Sequence, residues 1–198
     1  MEFQKLMEVR RSIRKYATDK KVTKEELMEM IGAAQEAPSW KNTETGRYYC
    51  VLSEEMTERV RRECLPEGNA RKAENAVLVV TTFVKDKAGF QNDKTADNEL
   101  GNGWGCYDLG LQNENFVLKG RVHALEEEFI VGEAAKWKEK ENVLLFQEGM
   151  EAGSVQKLTD AILQVCKGRC AVFSRNADGS YKYAMGEKDG DLRQFTKE

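Results

Sequence analysis

The sequence predicts an α+β fold, with a central sheet of short apolar strands flanked by helices and with one long central helix. Residues 76–84 form a nearly continuous run of apolar and β-branched side chains, which is typical of a strand in a central position. In residues 23–37 and 154–165 the apolar residues instead recur three and four positions apart, which indicates helices with one apolar face. The chain of 198 residues is long enough to bury a substantial core.

The composition excludes several classes of function. The formal net charge is −3, and charged residues of both signs make up 33% of the chain, so we expect neither a general nucleic-acid binder nor a membrane binder. No apolar run approaches the roughly 20 residues that span a bilayer. The five cysteines, an odd number, favour a reducing compartment. We therefore predict a cytoplasmic protein.

A metal centre is not expected. His123 is the single histidine, so one subunit cannot supply the two or three histidines of a common zinc site. It also suits a Ser-His-Asp triad poorly, because the charged helical pattern around it predicts a solvent-facing side chain. Cys166 and Cys170 lie four residues apart without a second pair of thiolates, and we expect both to pack as small apolar groups.

The N-terminal half is predicted to contain three helices and two strands. Thr23 and Glu26 have the spacing of a capping box, which begins the second helix. Pro38 ends that helix near Ala37, because the residue before a proline is disfavoured in the helical conformation. The predicted elements are a helix at 2–10, a helix at 23–37, a strand at 47–52, a helix from Ser53 to Pro66 with Met56 and Val60 inward, a turn at Gly68-Asn69, a strand at 76–84 and a polar surface loop at 85–103.

The C-terminal half is predicted to begin with the long helix. An apolar stripe with spacings of four, three and four residues extends from Leu118 to Phe129. An unbroken helix from Tyr107 to Lys140 would be about 50 Å long, at about 1.5 Å per residue. The elements predicted after it are a strand at 143–146, a helix at 154–165, a strand at 170–174, a turn at 176–179, a strand at 181–185 and a last helix from Asp189.

Two short motifs suggest a ligand. The segment Arg10-Arg11-Ser12-Ile13-Arg14 can hold a phosphate, because arginine offers planar, charge-assisted donors and serine adds a short one. Taken alone, an arginine-rich pentapeptide is more often a solvated surface. A second unusual segment, Ala37-Pro38-Ser39-Trp40-Lys41-Asn42, follows one helix later. It predicts a turn whose backbone donors are free to meet a ligand.

In this order and spacing, the two motifs resemble the N-terminal signature of the flavin-dependent nitroreductase family. The similarity extends over about residues 1–118 and includes the pattern of helices and strands. In that family the first motif holds the phosphate of FMN, and the second borders the isoalloxazine ring, often from the partner subunit. The implied phosphate-binding residues are Arg10, Arg11, Ser12 and Arg14. The residues implied to border the ring are Pro38, Ser39, Trp40 and Asn42, with Asn69 hydrogen-bonded to the flavin.

The resemblance also implies an activity and an assembly. The implied protein is an FMN-dependent oxidoreductase, which passes hydride from NAD(P)H through the flavin to a nitroaromatic or quinone-like acceptor. Because the family fold binds flavin at a dimer interface, it implies a homodimer as well. Such chemistry requires no strong acid or nucleophile from the protein, which agrees with the lack of a recognisable triad.

Residues 119–198 do not continue the nitroreductase pattern. Segments 167–174, 181–186 and 189–193 are similar to the C-terminal domain of alanyl-tRNA editing proteins, and this resemblance begins at about residue 111. The zinc-binding editing domain itself has no counterpart here, so tRNA deacylation is not expected. The domain prediction is an FMN-binding part at 1–118, followed at 119–198 by a helix and a small, atypical α/β segment.

Two other interpretations remain open. The chain could be a non-catalytic hybrid or an engineered scaffold, with weak or no flavin binding. Its C-terminal strands would then complete the sheet beside residues 76–84. It could also be a tRNA-associated module that uses a group of basic residues, although neighbouring acidic residues favour a solvated face. That group is Lys167, Arg169, Lys182 and Lys188.

Overall fold

The computed structural model describes residues 3–18 and 20–188. The chain divides into two compact units, residues 1–123 and 124–198. Each unit contains helices and a sheet of its own, so the predicted α+β class is confirmed. The boundary between the units lies inside a long helix, close to the change of pattern at residue 118. The functional division predicted there stays a prediction.

Two amphipathic helices begin the first unit. Helix α1 spans Phe3–Val9 and buries Leu6. Helix α2 spans Lys24–Gln35, and its predicted capping box is confirmed. The Thr23 hydroxyl accepts the N–H of Glu26 at 3.2 Å, and the Glu26 carboxylate accepts the N–H of Thr23 at 2.8 Å. These bonds satisfy donors that the first helical turn would otherwise leave unpaired.

Strands β1 (Gly46–Val51) and β2 (Leu78–Phe83) form an antiparallel pair in which Tyr49 lies opposite Val80. Both strands are predicted from the sequence. The central position expected for β2 is wrong, because in the described residues it pairs with β1 alone. Its side chains are half-buried or exposed, so the apolar run reflects β propensity rather than burial on two faces.

Helix α3 (Glu54–Cys64) follows β1. The hydroxyl of Ser53 accepts the N–H of Met56 at 3.3 Å, which is the predicted cap. The side chain of Met56 is 44% exposed, so its predicted inward position is wrong. Val60 is half-buried.

Helix α4 (Glu67–Lys72) replaces the turn predicted at Gly68-Asn69. The Pro66 carbonyl accepts the backbone N–H groups of Asn69 at 2.8 Å and of Ala70 at 2.9 Å, which begins a helical turn. Proline suits this place, because the first residues of a helix need no backbone donor. Asn69 therefore lies on a helix.

Residues 84–102 form the predicted surface loop, which is held by its own hydrogen bonds. The backbone N–H of Asp86 donates to the side-chain oxygen of Asn102 at 2.8 Å, and the Asn102 amide donates back to Asp86 at 2.8 Å. Gly89 has a φ of +81°, and a Cβ there would lie 2.5 Å from the Gly101 carbonyl oxygen. Glycine is therefore required for this close approach.

Helix α5 spans Gly103–Ala135, and its 33 residues confirm the predicted long helix of about 50 Å. A Cβ at Gly120 would lie 2.7 Å from the terminal methyl group of Met30 of α2, a flexible side chain that can shift to make room. The side chain of His123 is only 15% exposed, with its Nε2 3.3 Å from the Glu29 carboxylate of α2. Its predicted solvent-facing position is wrong, because α2 packs over it.

The second unit contains strands β3 (Asn142–Glu148), β4 (Arg169–Arg175) and β5 (Tyr181–Glu187), with helix α6 (Ala152–Val165) between the first two. The order is β3-β4-β5, and α6 is the crossover that joins the parallel pair β3 and β4. These strands form a separate sheet, so the expectation that they complete the sheet beside β2 is wrong. The last helix, predicted from Asp189, lies outside the described residues.

The core of the second unit lies between α6 and one face of this sheet. Leu158 and Ile162, one helical turn apart on α6, and Val172 of β4 are fully buried. Cys166 and Cys170 belong to the same cluster, which confirms their predicted role as small apolar groups.

Burial of Cys170 raises the pKa of its thiol from 9.0 to about 12. The pKa of the Cys170 thiol is higher in the folded protein than in the unfolded chain. The contribution of this thiol to folding stability is therefore complete below pH 9 and is lost as the pH rises towards 12. We expect the urea midpoint of the second unit to fall over this range, and to fall less in Cys170→Ala. The exposed Cys64→Ala is the matched control. Equal pH slopes in all three proteins would contradict the assignment.

None of the helices within residues 3–18 and 20–188 is both long and apolar enough to cross a membrane.

Candidate functional site

The arginine cluster follows the end of α1. The N–H of Arg10 donates to the Leu6 carbonyl at 3.0 Å, which closes the last helical turn. The chain then leaves the helix, and Arg11, Ser12 and Arg14 are exposed on an irregular segment. Three guanidiniums are thereby presented at the surface of the first unit.

The described residues hold these guanidiniums only loosely. Nε of Arg10 is 3.9 Å from a carboxylate oxygen of Glu114, which is the outer limit of an ion pair. The guanidinium of Arg11 donates to the Arg10 carbonyl at 2.7 Å, and that of Arg14 donates to the Ser12 carbonyl at 3.2 Å. Since a guanidinium has five N–H donors, most of them remain available for an anion.

The proline–serine segment forms a tight turn. Trp40–Asn42 is one turn of 3-10 helix in which Lys41 and Asn42 have φ values of 47° and 55°. Such conformations are costly for residues other than glycine and persist where surrounding contacts hold them. The carbonyl of Ser39 accepts the N–H of Asn42 at 3.0 Å, and its hydroxyl accepts the N–H of Glu44 at 3.0 Å.

Two carboxylates and a second tryptophan hold Trp40 in this turn. Asp108 of α5, only 2% exposed, accepts the backbone N–H of Trp40 at 2.9 Å. Asp97 accepts the indole N–H of Trp40 at 3.2 Å and the ammonium of Lys41 at 2.8 Å. The ring of Trp40 packs on that of Trp104, with centroids 4.1 Å apart. The turn is therefore anchored on both its backbone and its side chain.

The charge of Asp97 is stabilised by the same contacts. The hydrogen bond from Lys41, assisted by that from Trp40, holds the pKa of Asp97 below its ordinary value of 3.8. Because the pKa of Asp97 is lower in the folded protein than in the unfolded chain, its ionised carboxylate stabilises the fold at pH values above the unfolded pKa. This stabilisation is lost as the pH falls through the folded pKa. The Asp97 carboxylate that holds the indole of Trp40 is thus charged at neutral pH.

The structure does not bring all the predicted site residues into contact. Asn69 is exposed on α4, and Pro38 and Asn42 are exposed on the turn. Between described residues, no hydrogen bond, ion pair or ring contact joins the arginine cluster, the turn and Asn69. A ligand or a second subunit would have to join them, so their shared role stays a prediction.

Sequence reasoning missed three residues that shape this region, namely Asp97, Trp104 and Asp108. The signal for Asp108 is a single carboxylate one helical turn after Trp104, in a segment that is otherwise apolar or glycine. Asp97 carries no such signal, because it stands in a polar loop and reaches Trp40 only through the fold.

A cavity of about 420 Å³ opens next to the turn, lined in part by Thr43 and Arg47. Asp86, Lys87 and Lys94 of the surface loop complete much of its wall. Its size suits a small molecule, and its lining carries three basic groups and one acid. Among residues 3–18 and 20–188, no cluster of three or more His, Cys, Asp or Glu side chains could hold a metal ion.

With this geometry in view, comparison with known proteins gives a partial match to one family model. Residues 7–103 match the model of the Nitroreductase family. This range is just under half of the 198 residues, and it contains the arginine cluster, the proline–serine turn and Asn69. The mixed α+β structure with its long central helix is consistent with a nitroreductase-like fold. No curated protein matches the chain.

Several solved structures are similar in part. A nitroreductase family protein from Clostridium novyi NT is 20% identical with a TM-score of 0.49, and the alignment covers 62% of this chain and 65% of that one. A protein assigned as a nitroreductase, in complex with FMN, from Exiguobacterium sibiricum 255-15 is 24% identical with a TM-score of 0.48, covering 62% and 71%. A BluB-like flavoprotein from Clostridium difficile 630 is 24% identical with a TM-score of 0.45, covering 60% and 69%.

Asp108 offers a test of how the turn is held. In Asp108→Ala the N–H of Trp40 loses its acceptor inside the protein, which we expect to cost about 1–3 kcal/mol of unfolding free energy. Asp108→Asn keeps an acceptor oxygen and is the matched control, with a smaller loss. Urea denaturation and the tryptophan emission spectrum measure both effects. An Ala variant as stable as the wild type would show that the bond does not hold the turn.

Proposed function

We propose that the protein is an FMN-dependent oxidoreductase that transfers hydride from NAD(P)H to nitroaromatic or quinone-like acceptors. The observation that carries the proposal is the family match over residues 7–103, which contains both ligand-binding motifs. The chain spans 65% of the length of the Clostridium novyi relative, so a substantial part of that protein has no counterpart in the alignment. The electron acceptor is therefore proposed only as a chemical class.

The arginine cluster fits the phosphate of FMN. A phosphate monoester is a dianion with several acceptor oxygens, which suits planar guanidinium donors and a hydroxyl. Arg10, Ser12 and Arg14 are the proposed ligands, with Arg11 beside them. None of these four side chains makes an ion pair shorter than 3.9 Å with a described carboxylate, so binding the phosphate would break no strong contact.

The proline–serine turn is proposed to border the isoalloxazine ring through Pro38, Ser39, Trp40 and Asn42. Its support is rigidity, because Asp97 and Asp108 hold Trp40 by its side chain and its backbone. A surface that is already ordered binds a planar ring without a further loss of conformational entropy. Asn69 is the proposed polar contact to the ring.

Bound FMN would supply the redox chemistry, accepting hydride from the nicotinamide and delivering it to the second substrate. The work left to this chain is to anchor the phosphate, orient the ring and exclude water. The cavity beside the turn, with Arg47, Lys87 and Lys94 in its wall, is the proposed place where an anionic or polar substrate approaches.

A homodimer is proposed to complete the site. In one chain no hydrogen bond or ion pair joins the arginine cluster to the turn among the described residues, so a turn from the partner subunit would cover the ring held by the first. Two equivalent sites would then lie across one two-fold axis.

The absorbance spectrum of the purified protein tests the proposal. We expect a band near about 450 nm after incubation with FMN and removal of the excess, and bleaching of that band on adding NADH or NADPH without oxygen. A protein that retains no FMN would refute the enzyme and favour the non-catalytic scaffold. Retention without bleaching by either nicotinamide would refute the proposed reductant alone.

The tRNA-associated interpretation has less support in the structure. Lys167 pairs with Glu139 at 2.7 Å, and Arg169 pairs with Glu187 at 3.0 Å. Lys182 lies 3.2 Å from Glu151. Basic groups that already have acidic partners attract a phosphate backbone weakly. The similarity of this half to alanyl-tRNA editing proteins stays a prediction.

A further inference from the structure

The sheet of the second unit has one buried face and one exposed face. Along β4 the side chains of Cys170, Val172 and Ser174 are buried, whereas the alternate residues Ala171 and Phe173 point to the other side. The strand register places these alternate residues in rows across the three strands. The outward face therefore presents its side chains in regular rows, as the inward face does.

Two neighbouring rows of the outward face are apolar. One row consists of Leu144, Ala171 and Met185, with Leu144 60% and Met185 49% exposed. The next row is aromatic and consists of Phe146, Phe173 and Tyr183. Phe146 and Tyr183 are each 63% exposed. Soluble proteins rarely leave so many large side chains in one exposed patch unless something covers them.

The aromatic row is ordered as a stack. The ring centroids of Phe146 and Phe173 are 5.4 Å apart with planes 20° apart, and those of Phe173 and Tyr183 are 5.8 Å apart with planes 27° apart. Rings so close and so nearly parallel turn much of their flat faces towards one another. They present an apolar ridge rather than three free flat faces on which nucleic-acid bases could stack.

The ends of the patch carry balanced charge. At one end Arg169 pairs with Glu187 at 3.0 Å. At the other end Glu148 and Arg175 lie side by side in the register, next to Tyr181. Two acids and two bases border the patch, so it offers a polyanion no net positive field. A partner with the same mixture of charges fits better.

The exposed area is close to what a dimer needs. Leu144, Phe146, Tyr181, Tyr183 and Met185 are each about half exposed or more. At roughly 150–250 Å² for a fully covered large side chain, these five offer on the order of 500 Å². A standard interface buries about 800 Å² on each partner, and the half-exposed neighbours and the charged ends can supply the rest.

From these observations we infer that the outward face of the β3-β4-β5 sheet is a homodimer interface, on which the same face of a second copy packs. The two sheets form a sandwich about 10 Å thick with the aromatic row in its centre. A two-fold axis brings the charged ends of the patch against those of the second copy, where acidic residues can face basic ones. This interface is separate from the one proposed for flavin binding and does not rest on it.

The test compares two lysine substitutions in the full chain, Phe146→Lys on the proposed interface and Phe129→Lys on α5. Both residues belong to the second unit, and Phe129 lies on α5, outside the strands of the sheet, with 45% of its surface exposed. We expect Phe146→Lys to weaken association about a hundredfold, as loss of a central aromatic contact does. Phe129→Lys should associate as the wild type does. Sedimentation equilibrium over a dilution series gives the masses.

The outcomes separate this interface from the flavin site. If both interfaces form, Phe146→Lys halves the wild-type mass while its FMN absorbance is unchanged. Equal masses for Phe146→Lys and the wild type at every dilution would overturn the inference. If circular dichroism shows that Phe146→Lys is unfolded, Tyr183→Gln replaces it under the same criterion. Dissociation of the wild-type assembly by a single-stranded RNA oligonucleotide would also overturn the inference, since it would assign the face to nucleic acid.

Discussion

Replacing both Arg10 and Arg14 with alanine is expected to raise the dissociation constant for FMN by about 10²–10⁴-fold. Each charge-assisted hydrogen bond to the phosphate contributes about 1.5–3 kcal/mol, so the loss of two costs about 3–6 kcal/mol of binding free energy. The fold should be unaffected, because these side chains lie beyond the end of α1 and support no buried contact. Titration of the flavin-free protein, followed by quenching of FMN fluorescence, measures the change.

The double variant Arg59→Ala/Arg62→Ala is the matched control. It removes the same charge from exposed arginines of α3, which pair only with Glu63 among the described residues. We expect its FMN affinity to stay close to that of the wild type. If the two double variants bind FMN equally, the phosphate is held elsewhere and the assigned role of the arginine cluster is wrong.

The second large effect is expected in the core of the second unit. Leu158 is fully buried between α6 and the sheet, and Leu158→Ala would leave a cavity that the surrounding β structure cannot easily fill. We predict a loss of about 2–5 kcal/mol in unfolding free energy for this unit. Hydrogen exchange of the amides of β4 in increasing urea measures it locally, which avoids assuming that both units unfold together.

Leu100→Ala serves as the control for this prediction. Leu100 lies in the surface loop of the first unit with 59% of its surface exposed, so its truncation should change stability by less than about 0.5 kcal/mol. A loss below about 1 kcal/mol for Leu158→Ala would mean that the packing around α6 is loose.

Local structure was largely predictable from the sequence, because local rules determine it. The capping box of Thr23 and Glu26, the strand runs and the long helix each depend on neighbours within a few positions. One error arose where a local signal had two meanings. Pro66 ends one helix and begins another, so the turn predicted at Gly68-Asn69 is helical.

The candidate site was predictable only as short motifs. The arginine cluster and the proline–serine segment stand out as residue patterns, and the family match covers both. The residues that hold the turn do not stand out, since Asp97 and Asp108 come from a loop and a helix far along the chain. Their roles depend on distances that no local spacing encodes.

From the amino-acid sequence we could predict most of the helices and strands, the resemblance of the first half to nitroreductases and the residue types able to hold a phosphate. Those features follow from side-chain periodicity and chemistry within short segments. The three-dimensional structure was needed to show that the strands form two separate sheets, that Asp97 and Asp108 hold Trp40, and that one aromatic sheet face is exposed. Strand pairing and burial depend on packing between segments that are remote in sequence. Many alternative pairings fit the same local pattern, and their free energies differ only through the contacts made in the folded structure.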